Sequence, residues 1–309
     1  MASRYRWLLL PALASACSEP RDDDDGAGTL TTTVGTAAAS SEAGETTSAS
    51  TLDTGMLLDI GAGTNASAGE EGGTDDCVQD IDIVFVMDVS TSMGPFLSKL
   101  ADEILVVDQA LADLGLPSAP HYGLAVFVDD SALLNMGAPY LDAETLRSEF
   151  TMWSTFTSTN SQVSGGGSNS TWPENSLDAL YAAAVGFQWR PSGDDTLRLI
   201  IHTTDDAFWN GPTTADGVDI LHGYDETVDA LQQAEIRTFS FAAQIGGSCE
   251  CEDVTPGWSA PYQGQPALPE ATDGGVFDID LVLAGQLSLS AAINGLVEDT
   301  MCEPYTPVG

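Results

Sequence analysis

Residues 81–93, with the sequence IDIVFVMDVSTSM, decide the fold class of this chain. The run 81–87 is apolar except for one aspartate, and it is rich in β-branched residues. Such a run is typical of a central strand in a parallel sheet, where both faces of the strand are buried. Asp88, Ser90 and Ser92 follow it directly. The stretch therefore predicts a buried strand that ends in three oxygen-bearing side chains.

Strand and helix patterns alternate from this stretch to the C-terminus. Further strands are predicted at residues 122–128, 197–203, 236–242 and 275–279, and helices at residues 93–114, 174–185, 227–234 and 287–297. Alternation of this kind predicts an α/β fold, with a doubly wound, Rossmann-like and mostly parallel sheet that has helices on both faces. Ligands bind such sheets outside the carboxyl ends of the strands.

The composition excludes some classes of partner. The chain has 309 residues and a formal net charge of −39. Nucleic acids are held by basic residues that neutralise phosphates, and no basic patch is present. An anionic membrane surface is excluded as an electrostatic partner for the same reason. The content of 43% hydrophobic residues is sufficient for a sizeable core.

The N-terminus has the layout of an export signal. Arg4 and Arg6 precede an apolar run at residues 7–14, and small residues follow. This run is too short to span a bilayer. The residues that lead to Cys17 resemble a bacterial lipobox, in which the peptide is cut before a cysteine that takes lipid. We expect residues 1–16 to be a signal peptide and the protein to be an exported lipoprotein, at the outer membrane or cell surface. Ordinary secretion is the alternative.

Residues 17–76 differ in composition from the rest of the chain. After Cys17 they are rich in Ser, Thr, Gly, Ala and acidic residues, carry one basic residue, Arg21, and have no aromatic residue. Such a segment cannot bury enough apolar surface to offset its chain entropy. We interpret it as a lipidated, disordered acidic tether, and residues 77–309 as the folded domain. The lipid on Cys17 would then be the protein's only contact with the membrane.

The remaining cysteines indicate an oxidising compartment. Cys77, Cys249, Cys251 and Cys302 form an even set, as expected of an exported protein. Three pairings are possible. We favour Cys77 with Cys302, because these two residues flank the folded part of the chain. Cys249 and Cys251 would then form a tight local disulfide, or act as a metal or redox pair.

Three separate loops offer oxygen ligands at the carboxyl edge of the predicted sheet. Asp88 and its two serines form the first loop, although these side chains could instead cap the following helix. Residues 203–206, TTDD, follow another strand and contribute Asp205. Residues 165–174, GGGSNSTWPE, form an oxygen-rich loop that opens a helix. Carboxylate and hydroxyl oxygens are the hard ligands that magnesium and calcium take, and capping does not explain all three loops.

With these motifs, the chain resembles von Willebrand factor A (VWA) domains that carry a metal-ion-dependent adhesion site. The resemblance covers about residues 80–300 and depends on DxSxS after the first strand and TTD after the fourth. It implies six candidate metal ligands: Asp88, Ser90, Ser92, Thr171, Glu174 and Asp205. Many members use a residue at the position of Thr171, while integrin-β-like members use the glutamate at the position of Glu174, so the middle ligand stays open.

The resemblance implies a binding function. A bound Mg²⁺, or Ca²⁺ or Mn²⁺, would be completed by an acidic side chain of a protein ligand, so the chain would be a cell-surface adhesion or protein-binding module. The alternative is a structural envelope component in which the metal only stabilises the fold. We do not expect an enzyme, because the sequence has no G-x-S-x-G motif, no phosphate loop and no nucleophile with an evident base.

Aromatic residues in the loops suggest where a partner would bind. Residues 244–274 follow a strand at the same edge and are predicted to be a loop insertion that contains two cysteines. Trp172, Trp209 and Trp258 are predicted to form a rim around the metal site, because aromatic residues are enriched at protein interfaces.

Overall fold

The computed structural model describes residues 77–78, 80–193, 195–244 and 253–308. The predicted signal peptide, Cys17, the tether and the pair Cys249 and Cys251 lie outside the described residues. No helix in the described part is both long and apolar enough to cross a membrane.

Strands and helices alternate along most of the described chain. The strands are β1 (Asp80–Asp88), β2 (His121–Phe127), β3 (Ser131–Leu133), β4 (Thr196–Thr204), β5 (Thr213–Ala215), β6 (Val218–Ile220), β7 (Arg237–Ala242) and β8 (Gly275–Asp278). The helices are α1 (Gly94–Asp113), α2 (Ala143–Phe156), α3 (Ser176–Gly186), α4 (Tyr224–Gln233), α5 (Leu268–Ala271), α6 (Ile279–Leu283) and α7 (Leu289–Thr300).

The main sheet has six strands in the order β3-β2-β1-β4-β7-β8. All neighbours are parallel except β2 and β3, which are antiparallel. In the register of the central strands, Phe85 of β1 pairs with Leu124 of β2 and Ile201 of β4. Strands β1 and β4 are therefore neighbours, and their carboxyl ends meet at one edge. Strands β5 and β6 form a separate antiparallel hairpin.

Two buried clusters cover the two faces of the sheet. Alternate residues of β1 point to opposite faces, so that Phe85 belongs to one cluster and Val86 to the other. The first cluster includes buried residues of α1, α2 and α7, and the second includes those of α3, α4 and α5. The architecture is thus a mixed α/β fold in which helices flank a mostly parallel sheet.

A disulfide joins Cys77 to Cys302, as the sequence predicted. The bond closes a loop with a sequence separation of 225 residues and connects the start of β1 to the end of α7. Val78 donates a backbone hydrogen bond to the carbonyl of Met301 at 2.9 Å beside it. Both ends of the described chain are therefore held together at the edge opposite the carboxyl ends of β1 and β4.

Several elements were absent from the sequence-based prediction. Strand β3, helix α2, the β5–β6 hairpin and the short helices α5 and α6 were all missed. The interval 244–274 was predicted as a loop, yet its described part contains α5. Helix α2 has a recognisable pattern, because Asp142 caps it by accepting a hydrogen bond from the Thr145 amide at 2.7 Å, and its buried residues recur at helical spacing.

Candidate metal site

Asp88 is the last residue of β1, and its side chain is fully buried. The carboxylate is held from two sides. The Ser90 amide donates to Asp88 Oδ1 at 2.8 Å, and the Thr204 hydroxyl donates to Oδ2 at 2.8 Å. Thr204 is the last residue of β4, the neighbouring strand. The pairing of β1 with β4 therefore places this carboxylate between two strand ends.

The serines of the first loop link Asp88 to the loop after β4. The hydroxyls of Ser90 and Ser92 are 3.1 Å apart, and the Ser92 hydroxyl donates to Asp205 Oδ1 at 2.9 Å. Ser90 is buried, whereas Ser92 is exposed. The hydroxyls thus form a chain from the buried strand end to the surface.

Three carboxylates converge at this point. One oxygen from each of Asp88, Asp205 and Asp206 lies within 4.8 Å of the other two. The sequence prediction omitted Asp206 as a ligand, although it is the last residue of the TTDD motif. Its amide donates to the Thr204 hydroxyl at 3.0 Å, which fixes the backbone of the turn.

The convergence perturbs the acidity of the carboxyl groups. Burial, and then the negative charge of Asp205, raise the pKa of Asp88 to about 7, although hydrogen bonds from Ser90 and Thr204 act in the opposite direction. Burial also raises the pKa of Asp205. The ionised forms are therefore disfavoured until a positive charge compensates them.

Glu174 lies in the middle loop and is also buried. Asn169 donates its side-chain amide to Glu174 Oε1 at 3.0 Å, while Oε2 is buried without a hydrogen-bond partner among the described residues. Burial, and then the charge of Asp88, raise the pKa of Glu174 to about 10. A buried carboxylate oxygen without a donor is rare in folded proteins, so this atom is a candidate ligand for a bound cation.

Backbone hydrogen bonds fasten the middle loop to the loop after β4. The Glu174 amide donates to the carbonyl of Ala207 at 3.0 Å, and the Trp209 amide donates to the carbonyl of Glu174 at 3.0 Å. These two bonds form a short parallel bridge between segments that are distant in sequence. The main chain at Glu174 is therefore held against the same loop that carries Asp205 and Asp206.

Thr171, the other candidate from the middle loop, has different partners. Its hydroxyl bonds to the carboxylate of Asp129 and approaches the carbonyl of Pro173 at 3.2 Å. The indole N–H of Trp209 donates to the same hydroxyl at 3.1 Å. The structure thus directs Thr171 toward Asp129, whereas the negative charges of Asp88, Asp206 and Asp129 all act on the Glu174 carboxyl group.

The three tryptophans predicted to form a rim are in different environments. Trp172 is 44% exposed, and Trp209 is partly exposed. Trp258 is fully buried, so its assignment to the rim was wrong. Its indole N–H donates to the carbonyl of Asp206 at 3.1 Å, and its ring packs against His202 in the second core cluster. Trp258 therefore stabilises the loop after β4 from the buried side of that loop.

The donor set fits a hard divalent cation. Carboxylates from Asp88, Asp205 and Asp206, the hydroxyls of the first loop and the partnerless Oε2 of Glu174 are all oxygen donors. Mg²⁺ and Ca²⁺ prefer oxygen ligands. A cation would also offset the burial and the negative charge of Asp205, which together raise the pKa of Asp88.

Comparisons with known proteins leave the family open. No protein-family model and no curated protein matches the chain. Proximal thread matrix protein 1 from the mussel byssus is similar in structure at 14% identity and a TM-score of 0.39, over 71% of this chain and 47% of that chain. The pilus adhesin SpaC from Lactobacillus rhamnosus GG is similar at 13% identity and a TM-score of 0.40, over 70% and 31%. The matches thus span less than half of either structure, and similarity at this level identifies neither family nor function.

Proposed function

We propose that residues 77–309 form a doubly wound, VWA-type domain whose metal site binds a protein ligand through a divalent cation. The observation that carries this proposal is the convergence of oxygen donors from the loops after β1 and β4, with the main chain of the middle loop hydrogen-bonded against the second of them. The carboxylates of Asp88, Asp205 and Asp206 lie within 4.8 Å of one another. The partnerless Glu174 Oε2 is buried in the loop beside them.

Asp88, Ser90, Ser92 and Asp205 would hold the cation, with Glu174 as the middle-loop ligand. Glu174 is preferred to Thr171 because its Oε2 lacks a donor, while the Thr171 hydroxyl is engaged by Asp129. The bound cation, Mg²⁺ or alternatively Ca²⁺ or Mn²⁺, would supply a Lewis-acidic point that accepts a carboxylate oxygen from the ligand.

The chain's own groups orient the site and set its access. Thr204 and the Ser90 amide fix the Asp88 carboxylate, and the exposed Ser92 lies on the solvent side. Trp172, which is 44% exposed, and the partly exposed Trp209 would contact an acidic protein ligand at this edge. Selectivity among ligands would then depend on the loops around them.

We further propose that the protein is exported and anchored through lipid on Cys17, with residues 17–76 as the tether. The disulfide between Cys77 and Cys302 supports an oxidising compartment. Labelling of cells with radioactive palmitate tests the anchor. Label that persists in a Cys17→Ser variant would contradict it.

A cation titration tests the metal site. We expect Mg²⁺, Ca²⁺ or Mn²⁺ to raise the melting temperature of the purified protein saturably and to bind in calorimetry. Asp88→Asn and Asp205→Ala should abolish both effects, because they remove clustered oxygens. Asp102→Asn, which changes an exposed carboxylate of α1, is the matched control and should behave as the parent. Melting curves that ignore all three cations would refute the site.

Ligand capture separates adhesion from the structural alternative. An acidic protein ligand held through the cation should be released by EDTA and should not bind Asp88→Asn. If the cation raises the melting temperature but partner binding is unaffected by EDTA, the metal only stabilises the fold, and the structural envelope role becomes the better account.

A further inference from the structure

Asp129 follows β2 by two residues and is almost fully buried, with 1% of its surface exposed. Within the described residues, no Lys, Arg or His forms an ion pair with it. Burial of a carboxylate is unfavourable unless hydrogen bonds compensate the loss of its hydration. Hydrogen bonds must therefore compensate the burial of Asp129, and its partners show which part of the chain it holds.

Each oxygen of Asp129 accepts hydrogen bonds from the middle loop. The Thr171 amide donates to Oδ1 at 2.9 Å, and the Ser170 amide donates to Oδ2 at 2.8 Å. The Thr171 hydroxyl also bonds to this carboxylate, whereas the Ser170 hydroxyl lies 3.4 Å from Oδ2 and bonds more closely to Asp216. One buried side chain thus fixes two consecutive backbone amides and the Thr171 side chain.

This fixed point lies three residues before Glu174. The segment 170–174 is held at its start by Asp129 and at its end by the backbone bonds between Glu174 and the loop after β4. Between these two points, the Thr171 hydroxyl also approaches the Pro173 carbonyl at 3.2 Å. With both ends fixed, the main chain at Glu174 has little freedom to move away from the loop that carries Asp205 and Asp206.

We propose that Asp129 is a positioning residue of the metal site, which anchors residues 170–171 so that Glu174 stays against the loop that carries Asp205 and Asp206. The inference rests on the proposed cation site and extends it to a residue that need not touch the cation. Partners that orient metal ligands typically contribute 10–100-fold to metal affinity.

The neighbouring Asp130 provides a matched control. Its two oxygens accept from the amides of Val163 and Ser164 at 2.7 and 2.8 Å, in an earlier part of the same loop. Asp129→Asn and Asp130→Asn therefore remove the same kind of carboxylate clamp from one loop. Only the first of them acts on the segment that leads directly to Glu174.

The experiment compares Mn²⁺ affinity by calorimetry in the parent protein, Asp129→Asn and Asp130→Asn, with cation-free melting curves for each. We expect Asp129→Asn to weaken Mn²⁺ binding by about 10-fold or more, while Asp130→Asn stays close to the parent even where its melting temperature falls. An equal loss of affinity in both variants would mean general loop destabilisation and would overturn the positioning role.

The outcomes also separate this inference from the proposed function. If the parent does not bind Mn²⁺, both fail. If the parent and Asp129→Asn bind Mn²⁺ equally, only the positioning role fails.

Amide hydrogen exchange of the cation-free parent gives a test that needs no variant. The Ser170 and Thr171 amides should exchange slowly, because a buried carboxylate accepts both. Exchange at the rate of an unprotected peptide would overturn the inference even if Asp129→Asn does not fold.

Discussion

Opposing influences act on the charge of the Asp88 carboxylate. It is fully buried at a strand end and close to two other carboxylates, while the Ser90 amide and the Thr204 hydroxyl stabilise its charge. Burial and repulsion exceed the effect of these hydrogen bonds, so the pKa rises from 3.8 to about 7. Ionisation of a residue that the sequence indicates as a candidate ligand therefore costs the folded state free energy.

The raised pKa predicts a pH dependence of stability. Between about pH 4 and pH 7, folded Asp88 keeps a proton that the unfolded chain has released, so the free energy of unfolding falls as pH rises. We expect the melting temperature in EDTA to be lower at pH 8 than at pH 5. In Asp88→Asn, the change in the free energy of unfolding between pH 5 and pH 8 should be smaller than in the parent, by on the order of a few kcal/mol. Mg²⁺ should restore the melting temperature of the parent at pH 8.

Asp102→Asn is again the control, because it removes an exposed carboxylate of the same chain. An Asp88→Asn variant with the same pH dependence as this control would show that the burial of Asp88 does not determine the trend.

At the scale of elements, helix α7 is fastened to α1 at its N-terminus. Glu103 of α1 accepts from the Ser290 amide at 2.7 Å, from the Ser290 hydroxyl at 2.8 Å and from the Ser288 hydroxyl at 3.2 Å. These bonds, together with Lys99, outweigh the opposing effect of partial burial and lower the pKa of Glu103. A side chain from another helix thus supplies part of the N-terminal cap of α7.

We expect Glu103→Gln to lower the free energy of unfolding by about 1 kcal/mol, the size of a lost helix cap. Glu298→Gln, at an exposed glutamate of α7, is the matched control. The difference in the free energy of unfolding between the parent and Glu103→Gln should narrow as pH falls below about 4.5, because protonation then removes the negative charge of Glu103 that accepts these hydrogen bonds. Urea unfolding at pH 7 and at low pH measures both effects, and equal stability of the two variants at pH 7 would contradict the capping role.

At the scale of the whole molecule, the disulfide and the candidate site lie at opposite edges of the sheet. Cys77 precedes β1 and Cys302 follows α7, whereas Asp88 ends β1. The disulfide edge also holds Asp82, which is fully buried and bonds to Arg190 at 2.6 Å. A disulfide and a buried ion pair therefore lie at one edge, and the three clustered carboxylates at the other.

We expect replacement of both Cys77 and Cys302 by serine to lower the free energy of unfolding by up to about 5 kcal/mol, because the bond closes a loop of more than 200 residues in the unfolded chain. Denaturant unfolding of the parent with and without reductant, beside the double variant, measures the effect. If reduction leaves the unfolding midpoint unchanged, the chain-entropy account does not hold for this protein.

Much of the fold follows from patterns that are local in sequence. The buried strand predicted at residues 81–87 is β1, and the predicted pairing of Cys77 with Cys302 is present. The β5–β6 hairpin was missed because its strands have three residues each, too few for a periodic pattern. Its one local signal is Asp216-Gly217, both at positive φ, which is typical of a tight hairpin turn.

The sequence alone determined the fold class, the net charge of −39 and which loops offer oxygen ligands, because periodicity, composition and motif spacing are properties of the chain itself. Only the tertiary structure decided how those oxygen-bearing side chains are arranged. It brings Asp206 together with Asp88 and Asp205, bonds the Thr171 hydroxyl to Asp129, leaves Oε2 of Glu174 without a partner among the described residues and buries Trp258. These outcomes depend on which strands are neighbours and which side chains lose water, and no local pattern specifies either.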